Sequence, residues 1–167
     1  MNICLGPMTP KDKNYGYSPF EGCYVFPHVY GGDTMRCHGT LEYRDNYWIW
    51  LKVEEEFGRY LRRLFLLGNG TKLQRPSNDS HITVASSHEV TDDYRVMYEY
   101  YKLLMPNGTK LPFTVDLNLW TNGNAYWYPV KSVAIEDFRE KLGLPREREF
   151  SIHFAIGYLT QNENVVY

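Results

Sequence analysis

Two short segments carry residue types and spacing suited to acid–base chemistry. His81-Ile82-Thr83-Val84 and His153-Phe154-Ala155-Ile156 share the form His-apolar-small-apolar. In an extended strand, side chains two residues apart share a face, so His81 points with Thr83 and His153 with Ala155. Two such strands side by side would bring two imidazoles and a hydroxyl to one surface. That set suits phosphodiester cleavage: a neutral imidazole takes a proton from the attacking oxygen while a protonated one supplies the leaving oxygen. Hydroxyl and imidazolium donors can hold phosphate charge without a metal. The bland alternative makes both histidines core residues. His28, His38 and His88, taken singly, read as surface or structural residues.

The elements that must position these residues follow from local pattern. Residues 1–20, rich in Pro, Gly, Lys and Asn, read as an irregular arm or lid, and residues 21–167 as a single domain. A first strand is expected over 22–30. From Tyr47 the alternation of Ile49, Leu51 and Val53 passes into helical spacing at Phe57, Tyr60, Leu61, Leu64 and Phe65, ended by Gly68-Asn69-Gly70. A short strand over 81–85 precedes a second helix over 92–104 with Thr91 as its cap. Residues 113–132 read as a β-hairpin turning at Asn122-Gly123, followed by a third helix over 134–142 and a last strand over 150–158. Helices interleaved with an antiparallel pair give the class α+β. The two halves rhyme: each has a helix, a Pro-containing polar loop and a strand that starts near a histidine.

Composition bounds the rest. The 167 residues form one domain of ordinary size, and 18 Lys+Arg against 20 Asp+Glu disfavour long duplex DNA as a partner. Three cysteines without a CxxC pair suggest neither a disulfide framework nor a zinc site, so no metal and no cofactor are expected, and a reducing cytoplasm fits best. No secretory leader or membrane-spanning run is read. Arg59, Arg62 and Arg63 read as a solvated helix face, and Arg146-Glu147-Arg148-Glu149 as a self-neutralising loop. The abnormal number is 15 Tyr, which fits aromatic strands or a surface that stacks flat ligands.

The paired histidine motifs, Phe138-Arg139-Glu140-Lys141-Leu142-Gly143-Leu144-Pro145 before the second of them, and Gly22-Cys23-Tyr24-Val25 as an early strand together resemble the two-histidine (2H) phosphoesterase superfamily. That superfamily includes LigT-like RNA phosphodiesterases and phage anti-CBASS cyclic-oligonucleotide phosphodiesterases. The resemblance, over roughly residues 20–160, implies a bilobal fold of two antiparallel sheets around a central cleft with flanking helices. It implies metal-independent cleavage of a small cyclic nucleotide, with His81 and His153 as acid and base and Thr83 holding phosphate. The phage type, which destroys host cyclic-nucleotide immune signals, is favoured; alternatives are an RNA-processing 2′,3′-cyclic phosphodiesterase or a non-catalytic nucleotide sponge. Tyr24, Trp120, Tyr126, Trp127 and Tyr128 would lie near the cleft, where an aromatic face stacks a base for roughly 1–3 kcal/mol. Tyr126 and Tyr128 share a face and Trp127 takes the other, so only one set can line the site. The sequence departs from the family pattern at Ala155, where Thr or Ser is usual; this removes a phosphate donor, which would lower the rate, pass the donor role to Ser151 or a backbone N–H, or mark the sponge that binds a nucleotide without cleaving it.

Overall fold

Apolar residues at every second position build most of the sheet. The computed structural model describes residues 9–12, 16–18 and 34–159. Among these are nine strands, β1 (Thr9–Asp12), β2 (Gly16–Ser18), β3 (Thr34–Tyr43), β4 (Ile49–Lys52), β5 (His81–Ala85), β6 (Lys110–Asp116), β7 (Trp120–Thr121), β8 (Ala125–Lys131) and β9 (His153–Tyr158). Three helices join them: α1 (Glu55–Asn69), α2 (Asp92–Leu104) and α3 (Val133–Lys141). Every pairing is antiparallel, in the order β8-β6-β3-β4-β5-β9, and β9 returns to β8, so the sheet closes into a barrel. The class is α+β.

Capping chemistry sets the helix ends. Thr91 accepts a hydrogen bond from the Tyr94 amide at 3.1 Å, as its sequence position predicts. Gly70 adopts φ 72° and its amide bonds the Leu66 carbonyl at 2.7 Å, stopping α1. Ser132 starts α3 one residue before the expected boundary, because its hydroxyl accepts from the Ile135 amide at 3.0 Å.

The predicted hairpin over 113–132 resolves into three strands. The Asn122-Gly123 turn joins β7 to β8, and β6 pairs farther along β8 through Thr114–Lys131 and Val115–Val130. The longest strand, β3, carries no sequence-based assignment above. Its inward set is Met35, Cys37, Gly39, Leu41 and Tyr43, of which only Leu41 and Tyr43 are strong apolar markers. A Cβ on Gly39 would lie 2.5 Å from Leu51 Cγ and 2.8 Å from the Lys52 carbonyl, so the position that blurs the pattern is the one where strands approach closely. The expected irregular arm is also corrected in part: β1 pairs with β2, and Tyr17 of β2 pairs with Thr121 of β7. The expected strand over 22–30 lies outside the described residues.

One core spans the sheet and all three helices, including Leu51, Ile82, Phe154 and Tyr128 from strands, Leu61 and Phe65 from α1, and Ile135 and Phe138 from α3. Tyrosines fasten α2. Tyr94 and Tyr98 are buried and donate to the carbonyls of Tyr47 and Arg44 at 2.6 and 2.9 Å, while Tyr43 reaches back to the Met105 carbonyl at 2.8 Å. Much of the tyrosine excess therefore serves packing with a satisfied hydroxyl.

Candidate active site

The two histidine strands are neighbours. β5 and β9 pair at Ile82–Phe154, both wholly buried in the core. Continuing that antiparallel register one residue each way puts Thr83 opposite His153 and His81 opposite Ala155, all on the face away from the core. The imidazoles are thus diagonal cross-strand neighbours, a relation that spans roughly 7–8 Å.

Each ring is set in the same way. His81 Nδ1 bonds the Asp79 carbonyl at 2.7 Å and His153 Nδ1 bonds the Ser151 carbonyl at 2.9 Å, in both cases two residues back. A carbonyl only accepts, so Nδ1 carries the proton and the lone pair of each neutral ring is on Nε2. His81 stacks on Trp50 of β4, with centroids 3.7 Å apart and planes at 11°. His153 lies 5.8 Å from Trp127 of β8 at 54°. Burial lowers the pKa of His81, and it pushes His153 down to about 4, with Arg148 and His81 adding to the effect against the Ser151 carbonyl. Both shifts favour the neutral ring.

This has a consequence for folding. A histidine depressed in the folded state binds its proton more readily when unfolded, so stability rises with pH between the two values. For His153 the contribution is fully present above about 6.5, the ordinary value, and is lost as pH falls toward about 4. Urea unfolding of the wild type should show falling stability across that window, and His153→Gln should flatten the slope. An unchanged slope in the variant would place the acid sensitivity elsewhere.

Both motif strands bulge three residues after the histidine. On β5 the pairing steps from Thr83–Trp50 to Ala85–Ile49, leaving Val84 extra; on β9 it steps from Ala155–Trp127 to Gly157–Tyr126, leaving Ile156 extra. A guanidinium takes each bulged carbonyl: Arg139 Nη1 of α3 reaches Val84 at 2.7 Å, and Arg62 Nη1 of α1 reaches Ile156 at 3.0 Å. The helix that precedes one histidine strand therefore braces the other. Arg62 is half-buried and not part of a solvated face, a correction to the sequence reading; Arg59 and Arg63 are exposed.

The aromatic residues divide by face. Tyr128 is fully buried in the core and Tyr126 packs on Phe65 of α1 with centroids 4.9 Å apart, so neither serves the histidine surface as a stacking platform. Trp127 takes the other face with Trp120, Tyr158 and Ala155. Trp50, not singled out from sequence, is the matching wall beside His81; its signal was its place on the strand face opposite Ile49 and Leu51. Trp127 pairs directly with Ala155, which explains the small residue there. Ala155→Thr should overpack this cluster by about 1–3 kcal/mol and lower the melting temperature by several degrees, read by calorimetry; a raised melting temperature would refute the packing account.

Ser151 is exposed, and its carbonyl orients His153. A groove of about 880 Å³ starts there and is walled by Pro129, the cross-strand partner of His153, with Lys131, Ser132, Arg36 and Arg148. Arg148 corrects the expectation of a self-neutralising loop. It is buried and bonds Glu89, while Arg146 reaches Glu136, Asp137 and Glu140 on or beside α3. His38 and His88 are exposed and stand apart from the pair; Tyr24 and His28 lie outside the described residues. Among the described residues no group of three or more His, Cys, Asp or Glu is placed to hold a metal ion, and no helix is long and apolar enough to cross a membrane. The chain matches no family model, and neither curated proteins nor solved structures show a significant similarity to it.

Proposed function

We propose that this protein is a metal-independent phosphodiesterase that cleaves a small cyclic or RNA-like nucleotide between His81 and His153, in a bilobal two-histidine arrangement. The observation that carries the reading is the diagonal imidazole pair with Thr83 opposite His153. Fixing Nδ1 on a carbonyl aims a basic Nε2 from each ring. A bound phosphodiester brings the negative charge that favours an imidazolium, so one ring takes up a proton with the substrate while the other stays neutral. The neutral ring removes a proton from the attacking oxygen, either a ribose 2′-OH or water. The P–O bond to the leaving oxygen breaks as the imidazolium delivers its proton there. Thr83 donates to a non-bridging oxygen, and Trp50 and Trp127 wall the site on either side.

Purified full-length protein in EDTA, incubated with cyclic di- and trinucleotides and with linear 2′,3′-cyclic phosphates, should open at least one phosphodiester, seen as a mass gain of one water or a new cyclic phosphate end. Intact substrates throughout the panel would end this reading. Ala155 favours one rival, since His81 faces no hydroxyl across the strands: a sponge would bind a nucleotide and return it unchanged after denaturation of the protein.

A further inference from the structure

We propose that Arg148 holds a second, non-reacting phosphate of the substrate in the groove beside His153. This rests on the phosphodiesterase reading for its reacting phosphate but on separate observations for its own. Arg139 and Arg148 are both buried, with side chains 1% and 5% exposed, and they share one carboxylate, Glu89. Arg139 is fully engaged: Nη2 bonds Glu89 Oε1 at 2.7 Å, Nη1 the Val84 carbonyl and Nε the Pro145 carbonyl at 2.9 Å. Glu89 Oε2 also accepts from the Ser86 amide at 2.9 Å. What remains for Arg148 is one long bond from Nε to Glu89 Oε2 at 3.4 Å, and its Nη1 is buried with no partner.

Two guanidinium groups on one carboxylate leave an excess positive charge in a desolvated place. A buried unpaired N–H and an uncompensated charge are both costly, and an anion supplied from outside would answer both. Arg148 lines the groove that begins at Pro129 and Ser151, the residues in contact with His153. At about 880 Å³ the groove lies within the range that takes a small-molecule ligand, so it can accept a nucleotide unit beyond the one at the histidines. Arg146, the other guanidinium close in sequence, is already matched by three carboxylates. A guanidinium presents parallel N–H groups to phosphate oxygens, which a point charge does not.

The substrate class this selects carries two phosphates. The test compares wild type, Arg148→Gln and Arg148→Lys by calorimetric binding of three probes: a hydrolysis-resistant phosphorothioate cyclic diadenylate, 2′,3′-cyclic AMP and inorganic phosphate. Arg148→Gln should weaken the diadenylate at least tenfold and 2′,3′-cyclic AMP less than threefold, with Arg148→Lys intermediate for the diadenylate alone. Should the Gln variant lack a cooperative melt, the Lys variant carries the test, with a threefold or greater loss confined to the two-phosphate probe. Equal losses for both nucleotides, no loss for either, or wild type binding inorganic phosphate as tightly as the diadenylate would each overturn the subsite. Turnover is scored separately with unmodified substrates. Arg148-dependent preference without cleavage leaves the subsite standing and removes the catalytic reading; cleavage with Arg148-independent binding does the reverse.

Discussion

Alanine at His81 or at His153 should lower turnover of a nucleotide cleaved by the proposed mechanism by about 10²–10⁴-fold, and the double variant should lose little beyond either single one. The reason is that the proposed mechanism has the two imidazoles act as a unit. In the proposed mechanism one accepts the proton of the nucleophile and the other supplies that of the leaving oxygen, so losing either would stall the same displacement. The losses should appear in kcat more than in KM, because on the same proposal Thr83 and the tryptophan walls would still hold the substrate. Folding must be controlled on both sides of the pair. His81 stacks on Trp50 and satisfies the Asp79 carbonyl, and His153 satisfies that of Ser151, so each variant gives up one neutral hydrogen bond, worth about 1 kcal/mol, and alanine at His81 also gives up the stack, worth roughly 0.5–1.5 kcal/mol. Such a loss shifts the melting curve by a few degrees and leaves the protein folded at 25 °C. Initial rates measured with matched circular dichroism decide the matter. Cleavage that survives both substitutions removes His81 and His153 from the chemistry.

The residues that make this site legible from sequence are those whose side-chain period is local. His81 and Thr83 alternate with Ile82 and Val84, and the same alternation over residues 153–156 marks the second strand, so both strands and their faces could be read directly. Helix boundaries near Thr91 and Gly70 follow from capping chemistry of the same short range. What escaped depends on distance along the chain. Strand β3 hides because a glycine sits at its inward position 39, where contact with Leu51 fixes the choice. The division of the aromatic strand was left open because period 2 separates Tyr126 and Tyr128 from Trp127 without saying which face meets α1. Arg139, Arg148 and Glu89 form one cluster only after the folded chain brings a short turn together with a helix and a loop that lie fifty or more residues away. Read locally, Arg148 stands between two glutamates and looks neutralised by them.

The buried guanidinium beneath the first motif strand gives the largest expected effect on stability. Arg139→Met should destabilise the protein by about 3–5 kcal/mol, because the change keeps a long apolar side chain but removes the guanidinium and strands its partners. Glu89, which burial would raise but which Arg139 and Arg148 hold below the usual carboxylate range, keeps only the Ser86 amide and the 3.4 Å contact to Arg148. The Val84 carbonyl, freed from the β-ladder by the bulge, loses its donor, and so does the Pro145 carbonyl in the loop that leads toward the second histidine. At about 2–4 °C per kcal/mol for a chain of this size, the melting temperature should fall by roughly 6–20 °C. Arg62→Met provides the comparison: it removes the matching bond to Ile156, but from a half-buried side chain with water within reach, so a loss of about 1–2 kcal/mol is expected. Substituting Glu89→Gln together with Arg139→Met should cost less than the sum of the two single changes, since the neutral amide no longer leaves a charge unpaired. Additive losses, or an Arg139→Met cost below 1 kcal/mol, would mean that the bulge holds its shape without the guanidinium. In that case the spacing of Thr83 from His153 would be set by the strands alone.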